Sequence, residues 1–208
     1  MTALIESHEG PVRSASTRLL PDGAQAAAVR VRGAEALVFH RLDHAEHARR
    51  EEAGAGWLDE FRPLEMLMNL PVGMRVPRVS LGAQLRPEVR LLPAGAVVRD
   101  RVSVTRLAVR PLRVDLVVAR APGWRSGMDL ASQFAPFARR AMLLEKAPRN
   151  IDELLMEADF YGVGVFVARQ NGVEMLVEPG EHRTLRYTTA AWRFAEQVYR
   201  AIMEGGAA

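Results

Sequence analysis

The stretch that most constrains the fold is residues 97–121, VVRDRVSVTRLAVRPLRVDLVVARA, and within it Leu116-Val117-Val118. Successive residues of a strand point to opposite faces, so three aliphatic side chains in a row need apolar cover on both sides. Such a strand belongs at the centre of a sheet with helices on its faces. The same stretch holds the densest arginine cluster in the chain. In the run from Val97, Val102 and Val104 face one way and Arg101, Ser103 and Thr105 the other. Leu107 and Val109 then turn inward and Arg106 and Arg110 outward, a phase slip that needs a bulge or turn near Thr105-Arg106. The expected result is a sheet with one apolar face and one arginine-bearing face.

The rest of the composition narrows the class. Of 208 residues, 49% are hydrophobic and 25% charged, which excludes a wholly disordered chain. No apolar run approaches the roughly 18 residues that span a bilayer, so no membrane segment is expected. There is no cysteine, hence no disulfide or thiolate metal site. With no signal-like start in MTALIESHEG, the expected compartment is the cytoplasm. Arginine outnumbers lysine 27 to one, Lys146 being the exception. Codon usage in a GC-rich coding sequence accounts for that ratio, but not for where the acids are missing. Residues 1–71 hold 8 basic and 11 acidic residues, residues 72–125 hold 11 and 3, and residues 126–208 hold 9 and 11. Positive charge is therefore local, the footprint expected for a polyanion or an acidic partner.

Taken in order, residues 1–25 lack periodicity and read as a loosely held arm. A hairpin is expected around Arg32-Gly33-Ala34, then a charged helix over residues 42–53 ended by Gly54. A second helix is expected over residues 57–70, with Pro63 delaying its start. Short strands follow at residues 75–81, 88–92, 97–105, 107–110 and 113–120. Next come a helix over 129–138 and the ambiguous RRAMLLEKA (139–147), helical by propensity. Asn150 and Glu153 read as a capping box opening a helix through Phe160. Asn171-Gly172 between VGVFVARQ and VEMLVEP reads as a type I′ turn. The last helix, over 189–203, buries Trp192, Ala195, Val198, Tyr199 and Ile202. The sequence thus predicts an α/β (α+β) protein with a mixed central sheet flanked by helices. Residues 1–70 would form an arm, hairpin and helices, and residues 71–208 the α/β domain. Whether the last helix packs on its own sheet or on another copy, as a homo-oligomer would require, stays open.

Three groups of residues carry possible chemistry. His40, His44 and His47 follow i, i+4, i+7, which on one helix aligns three imidazoles, a pattern compatible with Zn²⁺. A helix rises about 1.5 Å per residue, so the outer two are too far apart for one ion to take all three comfortably. Arg99, Arg101, Arg106, Arg110, Arg113 and Arg120 are the nucleic-acid-binding candidates, and the first five, with Arg75, Arg78, Arg86 and Arg90 upstream, form the basic face. Guanidinium groups grip phosphate bidentately, and a row along a strand can track a backbone. Few aromatics lie between them, so base stacking is not implied. Asp100 and Asp115 are carboxylates that could hold Mg²⁺ for phosphodiester hydrolysis, with ion pairing to neighbouring arginines as the alternative.

From Val114 the chain reads VDLVVARAPGWRSGMDLASQFAPFARRAMLLEKAP, then the capped helix, then FYGVGVFVARQNGVEMLVEP. This order, over about residues 97–180, resembles the PD-(D/E)XK, or restriction-endonuclease-like, superfamily. The short matches are Trp124-Arg125, Phe137-Ala138, Ala147-Pro148 and Gly162 to Val165. The resemblance implies a strand ending in a metal-binding E-x-K, a helix, a strand at RRAMLLEKA, another helix and a Gly-Val-Gly strand. Here the E-x-K positions are Val118-Ala119-Arg120, so the glutamate is missing and Arg120 stands in the lysine's place. A catalytically degenerate relative is what that departure implies.

The leading expectation is a non-catalytic nucleic-acid-associated or assembly protein that presents its arginine face and needs no cofactor. The alternatives are a Mg²⁺-dependent DNA nuclease using Asp100 and Asp115, and a protein-interaction or structural subunit whose basic face meets an acidic partner.

Overall fold

The computed structural model describes residues 3–83, 89–183 and 186–205. The chain is a mixed α/β protein that divides into two compact units, each assembled from separate pieces of sequence. Unit 1 comprises residues 1–41, 114–185 and 201–208; unit 2 comprises residues 42–113 and 186–200. A division at residue 70 would cut the chain once along its length, whereas these units interleave.

Unit 1 is built on a six-stranded mixed sheet in the order β1-β2-β6-β7-β8-β9. β1 (Gln25–Val31) and β2 (Ala34–Leu42) are an antiparallel hairpin. Its turn residues Arg32 and Gly33 have φ of 51° and 81°. Positive φ at both central positions is the type I′ turn, whose twist matches that of the strands it joins. β6 (Leu112–Ala121) and β7 (Arg139–Leu144) are parallel, as are β7 and β8 (Gly164–Arg169); β9 (Gly172–Val177) runs antiparallel to β8.

Residues 116–119 of β6 are fully buried, as expected for a strand apolar on both faces. On one face Phe39, Leu116, Val118, Leu143 and Phe166 are covered by Ile5 of α1 (Ala3–Glu6) and Val12 of α2 (Glu9–Ala15). On the other face Met142, Leu144, Val165 and Val167 lie under Trp124 and Met128 of α5 (Trp124–Ser132) and Leu154 and Ala158 of α6 (Ile151–Tyr161).

Several expectations need correcting. The first 25 residues are not a loose arm: Ile5 and Val12 are buried in the core. Two short helices holding one anchor each are too brief to show a periodic pattern. RRAMLLEKA forms strand β7, because burial between helices overrides its helical propensity. α5 starts at Trp124, ahead of the expected residue 129. Asn150 is the N-cap of α6, but its side chain makes no capping bond, and Glu153 pairs with Arg125 at 2.8 Å. There is no capping box. The β8–β9 hairpin exists, yet its register pairs Arg169 with Gly172, leaving Gln170 and Asn171 as the turn. Neither has positive φ, so the type I′ turn is at Arg32-Gly33 instead.

Unit 2 holds a three-stranded antiparallel sheet, β3 (Arg75–Pro77), β5 (Ser103–Arg106) and β4 (Val97–Arg99), with β5 central. The single strand expected over 97–105 is therefore a hairpin. A 3-10 turn over Arg78–Ser80 follows β3, and Val89–Leu91 is another 3-10 turn, not a strand. Residues 107–110 form no regular element.

Helices α3 (His44–Ala53), α4 (Phe61–Met68) and the first part of α7 (Thr189–Gly205) complete unit 2. Pro63 is the third residue of α4, where a missing N–H costs no helical bond. Leu64, Leu67, Val89, Leu92, Val104, Ala108 and Trp192 make its core.

Candidate functional site

The outer face of the small sheet in unit 2 is the most distinctive surface. Pairing places Arg75, Thr105 and Val98 in one cross-strand row. The next row, Val76 with Val104, points to the core. Val98 is 57% exposed, and Val102, in the connection from β4 to β5, is 65% exposed. The Arg78 amide donates to the Val102 carbonyl at 2.7 Å, which ties the turn after β3 to the β4–β5 connection. Arg101 is exposed next to Val102. Exposed valines and arginines thus succeed one another along this sheet and its connections.

Asp100 holds the hairpin that makes this face. Its Oδ1 accepts the amides of Val102 and Ser103, and its Oδ2 accepts the Ser103 hydroxyl at 2.8 Å and Arg75 Nη2 at 2.6 Å. The Ser103 hydroxyl, then the backbone amides and Arg75, hold the carboxyl well below the usual carboxylate range. Both oxygens are committed to the turn.

The expected arginine face is not one surface. Arg106 is only 7% exposed. Its guanidinium donates to the carbonyls of Ala108, Leu67 and Leu70 and lies 4.5 Å from the centroid of Trp192. Burial lowers its pKa below the ordinary arginine value. Strand β5 ends there with the side chain turned into the core, which the expected bulge would have turned outward. Arg99 reaches the carbonyls of Val89 and Arg90 at 3.0 and 2.9 Å. Arg110 lies over the ring of Tyr187, 5.0 Å from its centroid. Arg113 is exposed at the start of β6. Arg86 lies outside the described residues.

In unit 1, Asp115 on β6 accepts Arg41 of β2 bidentately, at 2.9 and 2.8 Å. Asp100 and Asp115 therefore belong to different units and serve separate ion pairs. Arg120 is at the carboxyl end of β6 in a solvent-open cleft of about 480 Å³, lined also by Arg30, Glu35, Pro122 and Glu145. It pairs with Glu35 at 3.5 Å and with Glu145, and the Glu145 bond above all raises its pKa. Sequence reasoning missed both glutamates. Nothing local marks them, since each follows a short strand or turn and only the sheet order brings them to Arg120.

The three histidines do not share a helix. His40 is on β2, buried, with Nδ1 3.4 Å from the Val38 carbonyl; burial lowers its pKa. The Asp43 carboxylate accepts the Glu46 amide at 3.0 Å and starts α3 only at His44. His44 is exposed, and His47 Nδ1 lies 2.9 Å from the Tyr199 hydroxyl. Among the described residues no three His, Cys, Asp or Glu side chains are grouped as a metal ion requires.

A second surface that the sequence did not announce lies on α6. Met156 and Phe160 are 72% and 81% exposed, and Tyr161 is exposed beside them. Their i, i+4 spacing was the available signal, set off from the Leu154 and Ala158 stripe that packs on the sheet. Among the described residues no helix is long and apolar enough to cross a membrane. No protein-family model, curated protein or solved structure matches the chain.

Proposed function

We propose that this chain is a non-catalytic interaction subunit whose unit 2 docks an acidic protein surface on the outer face of the small sheet. The observation that carries the reading is Val98 and Val102, both exposed, with Arg75 in the cross-strand row of Val98, Arg78 bonded through its amide to Val102, and the exposed Arg101 next to Val102 in sequence. Exposed aliphatic residues gain from covering apolar groups, while the arginines favour carboxylates around them. A phosphate backbone would use the arginines but offer little to the valines. Unit 2 contains 15 arginines against 10 acidic residues, a net +5, whereas unit 1 is at −2.

The nucleic-acid reading draws on the same charge excess and is weaker here. Arg99 and Arg106 are spent on carbonyl groups of the chain itself, and Arg120 on two glutamates. The nuclease reading, and with it the resemblance to PD-(D/E)XK proteins, draws on the succession β6, α5, β7, α6, β8 and on the cleft at Arg120. The side chains there do not suit Mg²⁺, because Glu35 and Glu145 share a permanent cation that a metal would have to displace.

The test is fluorescence anisotropy with an amphipathic acidic peptide, Leu and Phe on one face and Glu on the other, beside a duplex DNA at the same salt. The expected result is peptide binding that weakens at least about tenfold in Val98→Asp and in Arg101→Glu, the loss of an interface hot spot. Tighter DNA binding with a steep salt dependence, indifferent to Val98→Asp, overturns the reading.

A further inference from the structure

Helix α6 carries four acidic residues and no basic one. With 3.6 residues per turn, Met156 and Phe160 run along the middle of the face turned away from Leu154 and Ala158. Asp152 and Asp159 flank that seam on one side, and on the other Glu157 stands beside Glu153, which holds Arg125. The Phe160 ring meets Tyr161 edge-on, with centroids 4.9 Å apart, so the aromatic projection is braced rather than free to swing. An apolar seam between two acidic rows is the charge complement of the small-sheet face, where valines sit among arginines.

We propose that the partner of the small-sheet face is helix α6 of a second copy of this chain. The proposal rests on the protein-interaction reading above and supplies its occupant. The two surfaces differ, so each contact joins α6 of one copy to the sheet face of another. Made reciprocally between two copies it closes a twofold dimer, and made in succession it gives a ring or a filament. Charge is matched the same way, acidic unit 1 against basic unit 2. The arginine and acid rows orient the encounter and favour it at low salt, while the valine, methionine and phenylalanine contacts hold it at moderate salt.

The experiment is sedimentation velocity on the full chain over a concentration series, with Phe160→Asp, Val98→Asp and a mixture of the two. Both sites are exposed, and circular dichroism of each variant checks that it folds as the wild type does. The wild type is expected to self-associate as concentration rises, and each variant alone to weaken assembly at least about tenfold. Mixing restores a one-to-one dimer and nothing larger, because Phe160→Asp keeps an intact sheet face and Val98→Asp an intact helix face. That complementation supports the proposal whatever the peptide does. A chain that stays monomeric throughout while the acidic peptide still binds overturns the self-association and leaves the interaction reading standing. Assembly that neither substitution weakens, with no peptide binding, overturns both.

Discussion

Arg50 and Glu196, 146 residues apart in the chain, form a bidentate ion pair at 2.8 and 2.7 Å with both residues buried. Glu196 also accepts the Leu58 amide at 3.0 Å and Trp192 Nε1 at 2.9 Å. Arg50 is held further by Glu46 and stacks over the Tyr199 ring, 5.2 Å from its centroid. The four acceptor positions of Glu196 are thus filled by four donors, which is what makes a buried carboxylate tolerable. Glu196→Ala leaves Arg50 without its main counter-charge and is expected to cost about 3–5 kcal/mol. Urea unfolding followed by circular dichroism measures this; a loss below about 1 kcal/mol would mean that the pair is not buried in solution.

Asp100 gives a pH signature of the opposite origin, at the surface. Its folded pKa lies below that of the unfolded chain, so the folded form holds fewer protons over the interval between the two values. Its contribution is complete above the ordinary carboxylate range and disappears as pH falls through the depressed value. Asp100→Asn should lower thermal stability near neutral pH and lose the advantage of the wild type in strong acid. Thermal melts of both proteins from neutral pH downward read the difference.

His40 responds over a different interval. Burial lowers its pKa, so the unfolded chain takes up a proton that the folded chain refuses. Stability is therefore full above the unfolded value of about 6.5 and declines as pH drops from there toward the folded value. His40→Gln is expected to flatten that limb. Proton titration of the His40 ring by NMR supplies the check, with an unshifted midpoint as the contrary result.

Gly164, at the start of β8, has no room for a side chain. A Cβ would fall 2.6 Å from Pro179 Cγ and 2.9 Å from Ala141 Cβ. Neither neighbour can swing away, since one is a ring and the other a methyl on a central strand. Gly164→Ala should cost about 1–3 kcal/mol as an overpacked core. At Gly127 the tightest neighbour is the sulfur of Met142, 2.7 Å away, and a flexible side chain can give. Gly127→Ala should cost less, and paired urea titrations rank the two.

The fold class was legible because Leu116-Val117-Val118 admits few environments and because the last helix has a long apolar stripe. What escaped the sequence has a physical pattern. Two short N-terminal helices bury one residue each, too little to register as periodicity. RRAMLLEKA is a strand on account of its neighbours rather than its own propensity. Residues 97–106 turn back on themselves through Asp100, whose role depends on Arg75 and Ser103 as well as on its own backbone. The candidate surfaces were harder still. Counting charge located the basic part of the chain, but burial decided that Arg106 belongs to the core and Val98 to the surface. The Met156 and Phe160 pair was visible at i, i+4 and acquires meaning only once Leu154 and Ala158 are known to fill the inner face.

Unit 2 is drawn from residues 42–113 and from 186–200, and this division sets an order of events during synthesis. Arg50, Leu67 and the small sheet leave the ribosome long before Trp192 and Glu196, which complete their core and their ion pair. At about 5–20 residues per second, the interval from residue 113 to residue 200 lasts on the order of 4–17 seconds. Throughout it the nascent chain lacks the Trp192 that completes this apolar core. Slowing translation beyond residue 113 would lengthen that interval, and aggregation in a cell-free system should rise with it.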